Sequence, residues 1–136
     1  MEDKIILNHR IADLIYTEST NIVEERWKRS SMNASDEEFK EYQKIKVQIL
    51  DNYNPKFFFC NSGSQFHALS QELQQWTHEV VMKFWEKKPL KKFAIVPSRQ
   101  QLCALSMKIA LEIGNHNYPI EFFQEEEKAK RWLLAS

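Results

Sequence analysis

The sequence predicts a single-domain α/β protein with a mixed, mostly parallel sheet of about five strands and four helices. The first observation is a repeated unit, an apolar strand followed by an amphipathic helix, at residues 56–87, 92–114 and 120–134. Three such units in succession are typical of a layered α/β structure. The second is that residues 57–60 and 93–96 are apolar throughout, as in parallel strands buried on both faces. The chain of 136 residues fits one domain, 1–136, with a substantial core.

Strands are also predicted before the first helix. Residues 4–7 and 12–17 have the pattern of a short hairpin, although the first arm could be only an extended lead-in to the sheet. Residues 21–27 form the next strand, whose apolar ends flank a polar centre, so its alternation is imperfect. The polar stretch 28–34 is predicted to be a loop.

The first helix begins with a strong capping signal. Ser35 and Glu38 have the spacing of a capping box, and acidic residues fill the first turn. The helix is expected to end before Pro55, which disfavours helical backbone at the residue before it. Its buried face is predicted from three- and four-residue spacing to carry Phe39, Tyr42, Ile45 and Ile49.

The second helix is predicted over residues 65–87, with Trp76 as its main anchor in the core. Trp85 lies one position off the apolar stripe, so it is expected to be partly exposed. Five apolar residues at helical spacing define the stripe: Leu69, Leu73, Trp76, Val80 and Phe84.

The third helix is expected to begin with a capping box formed by Ser98 and Gln101, and to end at Gly114. The last helix covers residues 125–134, and its Trp132 is expected to pack against the sheet. The buried stripe predicted for the third helix consists of Leu102, Leu105, Ile109 and Ile113.

Composition restricts the classes of partner and compartment. Nineteen basic and 19 acidic residues give zero formal charge, which argues against nucleic acid and leaves little charge repulsion against self-association. The two cysteines, Cys60 and Cys103, lie in apolar contexts and are expected to be buried free thiols. No apolar run has the length of a signal-peptide core or a membrane span, so a cytoplasmic protein is expected.

A candidate anion or ligand site is predicted at the carboxyl ends of the strands. Helix N-termini with unpaired N–H groups gather at that edge of a parallel sheet. The alternative is that these serines only cap helices and form turns, which is their commoner role. The residues expected at this rim are Asn61, Ser62, Gly63, Ser64, Ser98, Arg99 and Gln124.

Catalytic and cofactor motifs are not apparent in the sequence. The two glycines, Gly63 and Gly114, are too few for the usual nucleotide-binding loops. His67 and His78 share the second predicted helix but would lie about 16 Å apart at 1.5 Å rise per residue, so one metal ion could not bridge them. No nucleophile elbow is recognisable. We therefore expect no cofactor, no metal and no enzymatic activity.

Taken in order along the chain, several segments resemble the STAS or SpoIIAA-like superfamily, and especially SpoIIAA-like proteins of Bacteroidetes. The resemblance spans nearly the whole chain. Its segments are Ile22-Val23 leading to Trp27, the helix start at 35–39, Gln74-Gln75-Trp76, the strand and turn at 93–98, and the closing 122–127 with Trp132-Leu133.

The resemblance implies a non-enzymatic regulatory or protein-interaction module of bacterial type, whose partner is another protein or a second copy. It also implies a phosphoacceptor serine after a central strand, which would be Ser62 or Ser64. This chain has Asn61 where the family motif has an acid, and bulkier residues follow, so we expect neither serine to be modified. The alternative function is a carrier of a small ligand, a lipid or another anion.

Overall fold

A computed structural model describes residues 3–113 and 116–135, and these ranges form one six-stranded sheet with helices on both faces. The α/β class and the mixed sheet are confirmed, with six strands rather than about five. The strands are β1 (Asp3–Asn8), β2 (Ala12–Thr17), β3 (Ile22–Trp27), β4 (Phe57–Asn61), β5 (Lys92–Val96) and β6 (Ile120–Phe122).

The helices alternate with the strands from β3 onward. A 3-10 helix (Arg29–Asn33) precedes α1 (Asp36–Leu50). After β4 come α2 (Gln71–Thr77), a π turn (His78–Met82) and α3 (Lys83–Glu86), which follow one another without a break. The last two helices are α4 (Gln101–Glu112) and α5 (Glu126–Leu134).

The strands lie in the sheet in their chain order. β1, β2 and β3 are antiparallel, whereas β3, β4, β5 and β6 run parallel. The parallel register aligns Arg26, Asn61 and Val96 at the carboxyl ends of three neighbouring strands. The hairpin is therefore confirmed, and the predicted rim lies at one edge of the parallel half.

The two faces of the sheet are covered unequally. On one face, α1 through α4 pack on a large core that includes Val23, Trp27, Phe58 and Phe93. On the other face, α5 alone packs on a small cluster of Ile22, Phe59 and Ala94, through its residues Ala129 and Leu133. The α5 helix lies over β4 and β5, so the outer side of the β1–β2 hairpin is left uncovered by any described helix.

The start of α1 follows the sequence prediction, but its buried face is shifted. The Ser35 hydroxyl accepts from the Glu38 N–H at 3.1 Å, and the Glu38 carboxylate accepts from the Ser35 N–H, which completes the capping box. The helix ends at Leu50, before Pro55 as predicted, and gives way to a turn in which Asn54 has a left-handed φ of 47°, a conformation that asparagine tolerates. Ile45 and Ile49 are only partly buried, and the buried residues are Phe39, Tyr42, Gln43, Lys46 and Leu50.

The helix predicted over 65–87 begins six residues later, at Gln71, and it contains a π turn that changes which side chains face the core. Its N-cap is Ser70, and residues 62–70 are irregular. A π turn closes i→i+5 bonds, so it contains an extra residue and moves the later side chains one position round the helix. Trp85, not Phe84, is consequently fully buried, whereas Trp76 is only partly buried, beneath the Lys40 ammonium at 5.6 Å. The predicted roles of Trp76 and Trp85 are therefore wrong.

The prediction of which face of α4 is buried is also wrong. Leu102, Leu105 and Ile109 are 74, 55 and 43% exposed. The buried face carries smaller or more flexible residues instead: Cys103, Ser106, Met107, Ala110 and Leu111. The helix begins at Gln101 without a side-chain cap, so the predicted capping box of Ser98 is absent. The predicted helix end at Gly114 lies outside the described residues.

Candidate functional site

The rim after β4 is closed by hydrogen bonds to the neighbouring strand. The Ser62 N–H and hydroxyl both donate to the Val96 carbonyl, at 3.0 and 2.6 Å. Ser62 is 2% exposed, so its hydroxyl is both buried and occupied. This geometry makes Ser62 a link between the ends of β4 and β5.

Three further rim residues meet across two loops. The Arg99 N–H donates to the Gly63 carbonyl at 3.2 Å, and its guanidinium donates to the Ser64 hydroxyl at 3.2 Å. Ser98 is buried and donates to the Gln65 carbonyl at 2.6 Å while accepting from the Gln100 N–H at 3.1 Å. The structure therefore brings together Ser62, Gly63, Ser64, Ser98 and Arg99, as the sequence predicts.

The surroundings of this rim are less suited to an anion than expected. The helix that follows β4 begins only at Gln71, so its N-terminus does not directly follow Ser62 and Ser64. Asn61 donates weakly to the carboxylates of Glu24 and Glu126, at 3.4 and 3.5 Å. Gln124 is exposed and precedes the acidic first turn of α5. Arg99 and the Ser64 hydroxyl are the rim groups that could meet an anion.

A buried polar cluster lies on the face of the sheet that α1 through α4 cover, and it was not predicted from the sequence. The Glu25 carboxylate accepts from the Lys46 ammonium at 2.8 Å and from the Tyr42 hydroxyl at 2.6 Å. The Cys60 thiol donates to the other carboxylate oxygen at 3.4 Å. All four residues are at most 3% exposed.

Burial sets the protonation of the cluster's weak acids. It raises the pKa of the Tyr42 hydroxyl and of the Cys60 thiol well above their usual values, and the Glu25 charge raises both further. Both groups therefore stay protonated and act as donors. Strand alternation was the available signal, because Glu25 shares a face with Val23 and Trp27.

An exposed apolar surface lies on α4, and we call Leu102, Leu105 and Ile109 the α4 face. Beside it, a shallow cavity of about 280 Å³ lies between α4 and the end of the sheet. The residues lining this cavity are Pro97, Ala104, Leu105, Lys108 and Phe122. Lys108 holds its ammonium 5.6 Å from the Phe122 ring centroid. The predicted buried stripe is thus an accessible apolar surface that continues to the sheet edge.

A second concave surface, the hairpin groove, lies on the side of the sheet that α5 leaves open. It has a volume of about 490 Å³. Ile5, Ile15 and Ile22 supply its apolar part, and its charged part includes Arg26 and Lys130, both paired with the Glu24 carboxylate. The groove can accommodate an apolar chain, but a charged headgroup would compete with these ion pairs.

Within residues 3–113 and 116–135, no three His, Cys, Asp or Glu side chains are grouped as metal ligands. None of the helices in those ranges combines the length and apolar character needed to cross a bilayer. Cys60 and Cys103 are both free and buried, as predicted.

Comparison with protein-family models, curated proteins and solved structures found no match to this chain. The resemblance to the STAS or SpoIIAA-like superfamily therefore stays a prediction.

Proposed function

We propose that this chain is a non-enzymatic protein-interaction module of the STAS or SpoIIAA-like type, which docks a partner protein on the α4 face. The α4 face is the observation that carries the proposal. Three large aliphatic side chains, spaced i, i+3 and i+7 on one helix, are exposed beside the Phe122 cavity. Contiguous apolar surface of this kind is typical of a protein-binding site.

The polar groups of the chain support binding rather than catalysis. The Glu25 cluster contains two weak acids whose pKa is raised well above its usual value, and its four members are too deeply buried to contact a substrate. Ser62 and Ser98 use their hydroxyls to join loops. The free thiols support our further proposal that the module works in the cytoplasm, where thiols stay reduced.

Site-specific photo-crosslinking tests this function. A photoreactive residue replaces Leu105, and the matched control replaces Leu134, which is a similarly exposed leucine on α5. In the cells that make the protein, we expect one discrete crosslinked product from position 105 and none from position 134. Absence of a product at 105, or the same products from both positions, would contradict docking on the α4 face.

Ser62 and Ser64 are proposed to remain unphosphorylated in this module. The Ser62 hydroxyl is buried against the Val96 carbonyl, and the Ser64 hydroxyl faces the Arg99 guanidinium. Phosphopeptide mapping of protein from its native cells should therefore find both serines unmodified. Stoichiometric phosphate on either would make the module a phosphorylation-regulated one.

A second candidate function, a carrier of an amphiphilic anion, is supported by the hairpin groove. Its volume of about 490 Å³ lies in the usual range of ligand pockets, and aliphatic side chains lie beside Arg26 and Lys130. Native mass spectrometry tests for a co-purified molecule. Titration with dodecyl phosphate should then shift the NMR signals of Ile15 and Ile22 if this function is correct. Unshifted signals, with no co-purified molecule, would exclude the carrier.

A further inference from the structure

The partner on the α4 face can be inferred from how that face is arranged along the helix. Leu102 and Ile109 lie equally far before and after the midpoint between Leu105 and Ser106. Leu105 is almost at this midpoint. If a second α4 packs antiparallel about a two-fold axis there, Leu102 meets Ile109 of the second copy, and the two Leu105 side chains meet each other. The apolar residues of the face are therefore complementary to themselves.

The charged residues at the two ends of the α4 face are symmetric about the same midpoint as its apolar residues. Arg99 precedes the helix and Glu112 is its last residue, and they too lie equally far from the midpoint between Leu105 and Ser106. Both are exposed, and neither takes part in the ion pairs found among the described residues. An antiparallel pair would place Arg99 of each copy beside Glu112 of the other. Opposite helix dipoles also favour this orientation.

We propose that the α4 face binds a second copy of this chain, forming a two-fold symmetric homodimer through antiparallel α4 helices. The inference rests on the proposed function and names its partner. A net charge of zero leaves little repulsion between copies. The contact includes few side chains, so its interface lies at the small end of the usual range and the dimer dissociates on dilution.

Analytical ultracentrifugation over a concentration series tests the dimer directly. Wild-type protein should pass from monomer to dimer as concentration rises. Leu105→Glu places two like charges at the axis and should weaken association at least tenfold. Leu134→Glu, the matched control on another helix, should leave it unchanged. A wild-type monomer at all concentrations, or equal effects of the two variants, would overturn the proposal.

Charge exchange tests the orientation of the two helices. Arg99→Glu and Glu112→Arg should each weaken association, because each puts like charges together at both ends of the interface. The double variant restores opposite charges and should recover most of the association. If the double variant associates no better than the single ones, the antiparallel register is wrong.

Disulfide trapping provides a second geometric test. Leu105→Cys lies almost on the proposed axis, so mild oxidation should crosslink two copies through this position. Gln48→Cys, on the outer surface of α1, is the control and should remain monomeric. If both variants crosslink equally, or neither does, the dimer geometry is overturned.

The photo-crosslinking experiment separates failure of the dimer from failure of the proposed function. A product at position 105 that contains two copies of this chain supports both. A product that contains one different protein overturns the dimer but supports docking on the α4 face. Absence of any product at 105 overturns both.

Discussion

Glu24 and Glu25, adjacent residues of β3, form ion pairs on opposite faces of the sheet, and these pairs differ in their exposure to solvent. Glu25 points to the face covered by α1 through α4, where its side chain is 2% exposed and its partner Lys46 is 4% exposed. Glu24 points to the face covered by α5 alone. Its own side chain is 8% exposed, but its partners Arg26 and Lys130 are 52 and 43% exposed. The ion pair under α1 through α4 is therefore dry, whereas the pairs of Glu24 beside α5 are open to water on the side of their cations.

This difference has energetic consequences. Two charges in a dry core are costly to separate, because the remaining one is left without water or partner. A charge whose partners are in water can be rehydrated when one of them is removed. The same residue type in the same strand should thus contribute very differently to stability on the two faces.

The largest expected effect is that of Lys46→Met. It leaves the Glu25 carboxylate buried without its cation and should lower the free energy of unfolding by about 3–5 kcal/mol. Urea titration measures the change. The double variant Glu25→Gln with Lys46→Met removes both charges and should recover much of the loss. A loss under ~1 kcal/mol for the single variant would show that water reaches this face.

Truncation of two tryptophans tests the face covered by α1 through α4, because Trp85 lies at the centre of its core and Trp76 at its margin. Trp85 is fully buried, with its ring centroid 4.7 Å from that of Phe58, so Trp85→Ala should cost about 3–5 kcal/mol. Trp76 is only partly buried, at the side of α2 near Lys40, so Trp76→Ala should cost about 1–2 kcal/mol. Urea titration of both variants provides the comparison. Equal losses would contradict the observed facing of the helix.

These tryptophans also show what the sequence could and could not predict. The strands and the Ser35 capping box depend on local patterns, and they were predicted correctly. The burial of Trp85 depends on the π turn before it, for which periodicity gives no warning. An apolar stripe counted at constant helical spacing therefore selected Phe84 instead. Trp76 lies before the π turn, and it was selected wrongly because the buried residues of α2 are Leu73 and Thr77.

The buried face of α4 was predicted wrongly for a different reason. It has apolar residues on most of its circumference, so periodicity alone could not tell which stripe faces the core. The buried face includes Cys103, Ser106 and Ala110, whose small side chains allow a close approach. The Ser106 hydroxyl also accepts from the Leu69 N–H at 3.0 Å, which joins α4 to the irregular segment before α2.

The sequence predicted which residues meet at the candidate rim more accurately than it predicted the suitability of the rim for an anion. Proximity of Ser64 and Arg99 followed from parallel strand topology, which the sequence indicated. The late start of α2 and the acidic groups near Asn61 depend on tertiary structure. The Glu25 cluster was missed because three charged residues in succession interrupt the alternation of β3, and because its partners Tyr42 and Lys46 come from α1.

A smaller effect is expected in the reactivity of the two thiols. Burial raises the pKa of both, and Glu25 raises that of Cys60 further, so each is unreactive in the folded state. Cys103 lies in the first turn of α4, which has no side-chain cap, and local fraying should expose it. Under native conditions iodoacetamide should therefore label Cys103 faster than Cys60. Faster labelling of Cys60, or a disulfide between the two, would contradict this structure.

The smallest expected effect is that of Glu24→Gln on the face covered by α5. The substitution removes the carboxylate that pairs with Arg26 at 2.9 Å and Lys130 at 3.6 Å. Both cations are about half exposed and can be rehydrated, and Lys130 keeps its partner Glu126 at 3.2 Å. The loss should be at most about 1 kcal/mol in urea titration, and it should shrink at high salt because exposed charges are screened. A salt-independent loss comparable to that of Lys46→Met would mean that this pair is as dry as Glu25 and Lys46. The contrast between the two faces would then be wrong, because one helix would exclude water as fully as the helices of the opposite face do.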